Sequence, residues 1–510
     1  MSRPPLPEPL TLPALLRRNH ELVGEHPVVI SDDGTLTHAE LDDRSRALAT
    51  RLVAAGVGPS SRIGLMAPNG VDWVVAAAAV MRIGAVLVPL STLLKPPELS
   101  AQLDIADVSH LVVAREFRGR DYPSEVAGIT DGLPLLRQVW TLDAMPTSAV
   151  PPHKVLVLED AVRPTDDLVV LFTSGSRGTP KGVIHTHGGS LRATASGLES
   201  RCIHGDERLY IPMPLFWTGG FSSGLMSVLI AGATLITEAT PEPDRTLALL
   251  ERERVTLFRG WPDQATRLAS HPRFPAGGLP SLRRGSLAAV LPSELRPRPG
   301  ARANLFGMTE TFGPYCGALA DIDLPADKFG SCGKPFDGFE VRIIDPDTGA
   351  ECAPGVPGEI CVDGPNVMRG MCRRTREDVF RADGSYPTGD LGSLDADGYL
   401  WFHGRRDDMF KVKGATVFPS EVEAALRSID AVRLAFVTDV RDGDGTAQVG
   451  AFVVTAASLE DIAREARERL SSFKVPTLWL FGDAGEVPMT GTAKVDKAGL
   501  QELLRHKGRA

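Results

Sequence analysis

Leu168-Val169-Val170-Leu171-Phe172-Thr173-Ser174-Gly175-Ser176-Arg177-Gly178-Thr179-Pro180-Lys181-Gly182-Val183 is the stretch on which the reading of this 510-residue chain turns. It opens as an apolar, β-branched run of the kind that forms a buried strand. It then breaks into hydroxyls and glycines and closes on a lysine. Glycines without side chains let backbone N–H groups converge on an anion, and the hydroxyls of Thr173, Ser174 and Ser176 add donors. Lys181 brings a compact positive charge that can follow a polyphosphate as its charge is redistributed. The segment is built like a cradle for the phosphates of a nucleotide. It is not a Walker A loop, because Pro180 stands where G-x-x-x-x-G-K-S/T requires its last glycine. A Gly/Ser surface loop with a stray lysine has the same composition, so the rest of the chain has to decide between the two.

The length calls for two or more domains, and the ordinary apolar content marks a globular protein. A net charge of -9 gives no general attraction to nucleic acid or to anionic membrane, so an anionic ligand has to meet local cations. The six cysteines, Cys202, Cys316, Cys332, Cys352, Cys361 and Cys372, include no C-x-x-C pair. That spacing argues against a disulfide framework or a zinc site and fits a reducing cytosol. Met1 to Arg18 is proline-rich without the apolar core of a signal peptide. Trp73 to Leu90 is apolar but interrupted by Arg82 and Gly84, so it reads as a buried helix and a strand rather than a stable membrane span. A cytoplasmic protein is expected.

Between Arg62 and Pro89 a strand, a helix and a strand alternate as in α/β layers. Leu111–Ala114 and Val155–Leu158 read as further strands, and Tyr122 to Pro152 as an irregular tract. His185 and His187 alternate as strand ligands might, but without a third ligand nearby they read as a polar strand end. Phe216, Trp217 and Gly219 combine aromatics with a glycine that admits close approach, as the wall of an acyl pocket does. The same segment holds G-x-S-x-G around Ser222, the signature of a hydrolase nucleophile, although no strand leads into it. Trp261 starts a helix and is either a pocket wall or a packing residue.

Asn304-Leu305-Phe306-Gly307-Met308-Thr309-Glu310-Thr311 places an aromatic before a glycine, suited to stacking on a purine. A hydroxyl and a carboxylate follow at Thr309 and Glu310, suited to phosphate and Mg²⁺. Taken alone, Thr-Glu is as well explained as a helix start. Ser331 to Gly370 carries turn residues and alternating β-branched residues, as antiparallel strands do. Asp390, in Tyr386-Pro387-Thr388-Gly389-Asp390, offers a carboxylate to two ribose hydroxyls, with Arg405 assisting; an ordinary turn aspartate is the alternative. Beyond Lys413-Gly414 the chain reads as a small α+β unit. Ser420 and Glu423 have capping-box spacing there.

Together these segments resemble the adenylate-forming superfamily of acyl-CoA synthetases, NRPS adenylation domains and luciferases. The motifs T-S-G-S-x-G-x-P-K-G, F-G-M-T-E, T-G-D, G-R-x-D-D and P-M-T-G-T-A-K fall in the family's order between Asp166 and Leu500. The look is closest to a bacterial acyl-CoA synthetase. The fold so implied is α/β: a large N-terminal domain of layered sheets and helices plus a β-rich subdomain (residues 1–404), then a small mobile α+β C-terminal domain (409–510). The hinge falls at 405–408, on Asp407.

By the same resemblance Thr173, Ser174, Gly175, Ser176, Gly178, Thr179 and Lys181 wrap the triphosphate of ATP. Phe306 and Gly307 hold adenine, Met308 and Trp261 flank the acid, Thr309 and Glu310 manage phosphate and Mg²⁺, and Asp390 and Arg405 hold ribose. Lys494 is the adenylating lysine, and Lys413 and Gly414 come in for coenzyme A after a domain rotation. The implied reaction activates a small-molecule carboxylic acid, aryl or medium-chain, as acyl-AMP with release of pyrophosphate, and passes it to CoA. An amine or a carrier-protein thiol is the alternative acceptor within the family, and a serine hydrolase through Ser222 is the reading from outside it. Two departures stand out. Trp217 occupies a position where many acyl-CoA synthetases carry histidine, and Ser286 to Leu295 lacks the usual Gly-Gly-Ala-Pro run.

Overall fold

The computed structural model describes residues 4–173, 180–406, 410–412, 415–441, 447–470, 472, 474–489 and 495–508. The chain forms two compact units, Met1–Val341 with Val362–Tyr386, and Arg342–Cys361 with Pro387–Ala510.

The first unit is built on two main sheets. One has seven strands in the order Gly370–Met371, Lys181–Thr186, Asp167–Thr173, Val86–Pro89, Arg62–Met66, His110–Val113 and Gln138–Thr141. Its five strands from Asp167–Thr173 to Gln138–Thr141 run parallel to their neighbours, while Lys181–Thr186 is antiparallel on both sides. The other has five strands, four of them parallel, with the antiparallel Gly34–Thr37 at one edge.

Helix Val71–Met81 contacts strands of both sheets, and every residue in it but Asp72 is buried. A helix apolar on all sides has no solvent face to offer, so it becomes the filling between layers. Its first turn lacks a capping side chain of its own. Asp33, from the turn between Pro27–Ser31 and the edge strand Gly34–Thr37, accepts the Val71 N–H with both carboxylate oxygens at 3.0 Å, placing negative charge at the positive end of the helix dipole.

Val155–Leu158 is not a strand. It lies in helix Pro152–Ala161, in which Val155 and Glu159 face inward while Leu156 and Val157 are exposed. The apolar run conceals the helical period because Glu159, a carboxylate, is the second inward residue. It is buried against Arg82, whose Nη2 lies 2.6 Å from it. The tract from Tyr122 to Pro152, which reads as irregular, contains helix Tyr122–Ala127 and edge strand Gln138–Thr141.

The second unit holds most of a four-stranded sheet, in the order Glu340–Ile344, Gly358–Asp363, Tyr386–Leu394 and Leu400–Arg405. It also holds the α+β assembly expected near the C-terminus. There strand Val432–Arg441 pairs antiparallel with Ala447–Thr455, and Leu478–Phe481 joins in parallel. Alternation along these strands serves two cores. Ala451 and Val453 join one cluster with Val422, Leu426, Ile462 and Ala466, whereas Phe452 and Val454 join another with Leu500 and Leu504. Ser420 and Glu423 do not form a capping box. The Ser420 hydroxyl donates to the His403 carbonyl, and Glu423 accepts the Val437 N–H at 2.9 Å.

Candidate active site

The predicted phosphate cradle is the connection of a β-hairpin. Asp167–Thr173 and Lys181–Thr186 pair antiparallel with Thr173 directly opposite Lys181. The two residues that bracket the glycine-rich segment are therefore fixed side by side at its mouth. Ser174, Gly175, Ser176, Gly178 and Thr179 lie outside the described residues, as do Asp407, Lys413, Gly414 and Lys494.

Further along the same strand, His185 is 1% exposed, so it is a core residue and not a polar strand end. Its Nε2 lies 2.7 Å from the Thr309 carbonyl oxygen. Burial lowers its pKa to about 4, so the ring is neutral at physiological pH. A carbonyl can only accept, so this nitrogen carries the proton. The ring also meets Phe312 edge-on at 4.9 Å.

Thr309 and Glu310 form a single turn of 3-10 helix, Thr309–Thr311, between strands Phe306–Met308 and Gly313–Gly317. Several groups brace it. Thr218 Oγ1 lies 3.0 Å from Thr309 Oγ1, and the Tyr386 hydroxyl donates to Glu310 Oε1 at 3.1 Å. The Met368 N–H donates to the Glu310 carbonyl at 2.8 Å. Phe312 ends the turn at φ 57, a left-handed conformation that costs a bulky residue about 1 kcal/mol or more. Its carbonyl is held by the Ser222 hydroxyl.

Glu310 is 6% exposed. A buried carboxylate and an adjacent hydroxyl on a braced turn form a hard-oxygen donor set of the kind Mg²⁺ and phosphate share. Gly307 is required by close approach, because a Cβ there would stand 2.3 Å from the Gly313 carbonyl oxygen. Phe306 is half-buried, with its ring edge-on to Tyr315 at 5.6 Å.

Phe216, Trp217 and Trp261 come together. The ring of Trp217 is 5.5 Å from Phe216 and 5.7 Å from Trp261, edge to face in both cases. The three wall a cavity of about 190 Å³ that Asn69, Thr92, Phe117, Arg118 and Gln264 also line. Trp217 thus borders the cavity while Thr218, the next residue, reaches the Thr309 turn. Gly219 packs against Met213, whose sulfur a Cβ would meet at 2.6 Å. Met308 instead packs against the cluster of Val183, Met368 and Tyr386. Ser222 is buried in a helical turn, Phe221–Met226, with no strand before it and its hydroxyl engaged by Phe312, which is not the setting of a hydrolase nucleophile.

In the second unit Asp390 and Arg405 are direct cross-strand partners. Arg405 Nη1 donates to Asp390 Oδ1 at 2.8 Å and to the Thr388 carbonyl at 3.1 Å. Asp390 therefore sits on a strand and not on a turn, and the arginine pairs with it directly. Glu359 supports the segment by accepting the Gly389 N–H at 3.2 Å and Arg406 Nη1 at 3.0 Å.

His185, Thr218, Tyr386 and Ser222, all supports of the Thr309 turn, carry no sequence signal for that role. Their partners stand 76 to 124 residues away. No helix among the described residues is long and apolar enough to cross a membrane.

Comparison with known proteins finds relatives along nearly the whole chain. A methyl-dioxo-octahydro-indenyl propanoyl:CoA ligase of Mycobacterium tuberculosis is 34% identical, over 97% of this chain and 99% of its own. A feruloyl-CoA synthase of an Amycolatopsis species is also 34% identical, over 92% of this chain and 95% of its own. The structure of O-succinylbenzoate coenzyme A synthetase (MenE) from Bacillus subtilis, in complex with ATP and magnesium ion, aligns at TM-score 0.76 and 26% identity. That alignment covers 96% of this chain and 99% of that one. Residues 16–372 match the family of AMP-binding enzymes, and the chain belongs to that family.

Proposed function

We propose that this protein is an AMP-forming acid–thiol ligase that adenylates a ring-bearing carboxylic acid with ATP and transfers the acyl group to coenzyme A. The observation that carries the reading is the bond between Thr218 and Thr309, which ties the wall of an aromatic-lined cavity to the turn bearing Glu310. An acid lying in that cavity has its carboxylate beside the groups suited to the phosphates. The names of the relatives, among them feruloyl-CoA synthase and 2-succinylbenzoate–CoA ligase, support both CoA as acceptor and a ring in the acid.

The chemistry sets one anion against another, since a carboxylate oxygen attacks the α-phosphate while pyrophosphate departs. Positive charge and donors therefore have to stand ready where negative charge gathers. Lys181, fixed opposite Thr173, meets the departing phosphates together with the hydroxyls of the glycine-rich segment. Glu310, oriented by Tyr386, would hold the Mg²⁺ that accompanies ATP, and that ion would offset phosphate charge. Thr309 donates to a phosphate oxygen, Phe306 covers adenine, and Asp390 accepts from the ribose while Arg405 fixes its orientation. Lys494 bridges the acid and the nucleotide, which aligns the reactants and screens their repulsion. Asp407 is the hinge that lets Lys413 and Gly414 replace Lys494 for thioester formation. The six cysteines, which include no C-x-x-C pair, fit a cytoplasmic setting.

The test is ATP–pyrophosphate exchange with a panel of aryl, cyclic and straight-chain acids, followed by CoA and mass detection of the thioester. Exchange with ring-bearing acids and thioester formation are expected. Exchange without thioester would move the acceptor to an amine or a carrier thiol, and a preference for straight chains would overturn the ring assignment.

A further inference from the structure

The aromatic cavity has one cation among the described residues that line it, Arg118, and the architecture around it is specific. Arg118 and Gly119 form the two-residue connection between Glu116–Phe117 and Arg120–Asp121, with φ of 53 and 72. Two successive left-handed residues make the tight turn that matches strand twist, but arginine gains nothing from that conformation and is strained by about 1 kcal/mol.

The hairpin is clamped from behind. Arg120 donates to the carbonyls of Thr92 and Leu94 at 2.6 Å each and pairs with Glu125. The Tyr122 hydroxyl donates to the same Thr92 carbonyl at 2.9 Å, and Thr92 itself lines the cavity. The Arg118 side chain is exposed, with its guanidinium 5.1 Å from the Phe117 ring centre, and no carboxylate among the described residues pairs with it. The other charged lining residue, Glu238, is 2% exposed and already engaged, accepting from Tyr210 at 2.8 Å and Thr246 at 2.7 Å.

We propose that Arg118 reads a hydrogen-bond-accepting oxygen, a carbonyl or a second carboxylate, carried on the ring of the acid away from the carboxylate that is activated. The inference rests on the acid site proposed above. Trp217 and Trp261 supply apolar walls that bind any ring of suitable size and discriminate weakly among them. A guanidinium held at the rim adds a charge-assisted donor that only an oxygen-bearing ring satisfies. The strained turn and the clamp on Thr92 keep that donor in place before substrate arrives, so little ordering is needed on binding.

The experiment compares 3-phenylpropanoate with its para-acetyl and para-carboxy derivatives in ATP–pyrophosphate exchange, using the full-length wild type and Arg118→Ala. Wild type is expected to prefer both oxygenated acids in kcat/KM by roughly ten- to a hundred-fold, the range of one charged hydrogen bond. Arg118→Ala lowers kcat/KM for both oxygenated acids towards that for 3-phenylpropanoate and so removes the preference, without a change in thermal midpoint. Arg118→Lys retains part of the preference for the para-carboxy acid, whose full charge a point cation still meets, and loses more of it for the para-acetyl acid. A wild type without preference, a preference that survives in Arg118→Ala, or an equal loss for all three acids would each overturn the proposal. So would a change confined to KM for CoA, which would assign Arg118 to the CoA phosphates. In those cases exchange with 3-phenylpropanoate still stands, whereas absence of exchange with any ring-bearing acid removes the acid site itself.

Discussion

The Nε2 of His185 and the carbonyl oxygen of Thr309 lie 2.7 Å apart although 124 residues separate them in sequence. This bond joins the strand that begins at Lys181 to the turn that carries Glu310, so the two ends of the proposed triphosphate site share one connection. His185→Leu removes one of two donors to the Thr309 carbonyl and leaves only the Phe312 N–H at 3.0 Å, which costs about 1 kcal/mol and lets the turn relax. Exchange activity is expected to fall roughly ten-fold, with KM for MgATP rising and the melting temperature dropping. In His185→Gln the side-chain amide can donate to the same oxygen, so most of the MgATP affinity returns. Steady-state exchange kinetics of the two variants check this, and equal KM values in both would remove the positioning role.

The same burial makes the protein acid-labile in a defined window. His185 and His187 are lowered to about 4 and about 3 from an ordinary 6.5, in both cases by desolvation. Below pH 6.5 the unfolded chain takes up protons that the native rings refuse, so the unfolded state binds more and stability rises with pH. The contribution is complete above about pH 6.5 and is lost as pH falls towards 4, roughly 3 kcal/mol for His185 alone. His187 adds to it because its Nδ1 accepts the Leu12 N–H at 3.2 Å and cannot do so once protonated. Urea midpoints measured at pH 7.5 and 5.0 should drop in the wild type and drop less in His185→Gln.

Tyr386 offers a milder perturbation of the carboxylate proposed to hold Mg²⁺. Its hydroxyl donates to Glu310 Oε1 at 3.1 Å inside the cluster with Val183, Met368 and Phe380. Tyr386→Phe keeps the ring and its packing, so only the bond is removed, worth about 1 kcal/mol. The Mg²⁺ concentration that gives half-maximal exchange is expected to rise about five-fold with little change in melting temperature. A titration with Mg²⁺ at fixed ATP measures it.

What could be read in advance follows from how far each signal reaches along the chain. Helices Leu459–Arg469 and Lys497–Lys507 and strands Val432–Arg441 and Ala447–Thr455 announce themselves through period and caps that lie within a few residues. Phe306, Thr309, Asp390 and Arg405 were legible as motifs, but that Asp390 and Arg405 pair directly depends on strand register. Helix Pro152–Ala161 was hidden because a buried ion pair with Arg82 supplies what an apolar residue would otherwise mark. His185 was misread for the same reason. A single polar residue on a strand looks like a solvent-facing end until its distant partner is in place.

Gly307 separates steric necessity from ligand contact. A methyl group there would meet the Gly313 carbonyl oxygen at 2.3 Å and Pro314 Cα at 2.4 Å, both backbone atoms that cannot swing aside. Gly307→Ala therefore has to spread the hairpin that aims Phe306, at a cost of about 3 kcal/mol. Gly370, in which a Cβ meets nothing within 4 Å, is the control. Gly370→Ala should stay within about 0.5 kcal/mol of wild type. Thermal melts alone distinguish the pair, and exchange should be lost only in Gly307→Ala.

Lys494 is the residue whose removal most directly tests the chemistry. It lies in Pro488-Met489-Thr490-Gly491-Thr492-Ala493-Lys494, a segment that resembles the family's by its order of residues. A lysine that bridges carboxylate and nucleotide lowers the barrier by offsetting charge that exists only as the two anions close on each other. Binding of ATP by itself gains little from it. Lys494→Ala is therefore expected to slow adenylation by about 10²–10³, the scale for one preorganised donor, while ATP affinity is kept. Thioester formation from a chemically prepared acyl-AMP should survive in the same variant, because that step does not need the bridge. Near-wild-type ATP–pyrophosphate exchange in Lys494→Ala would remove the lysine from the reaction.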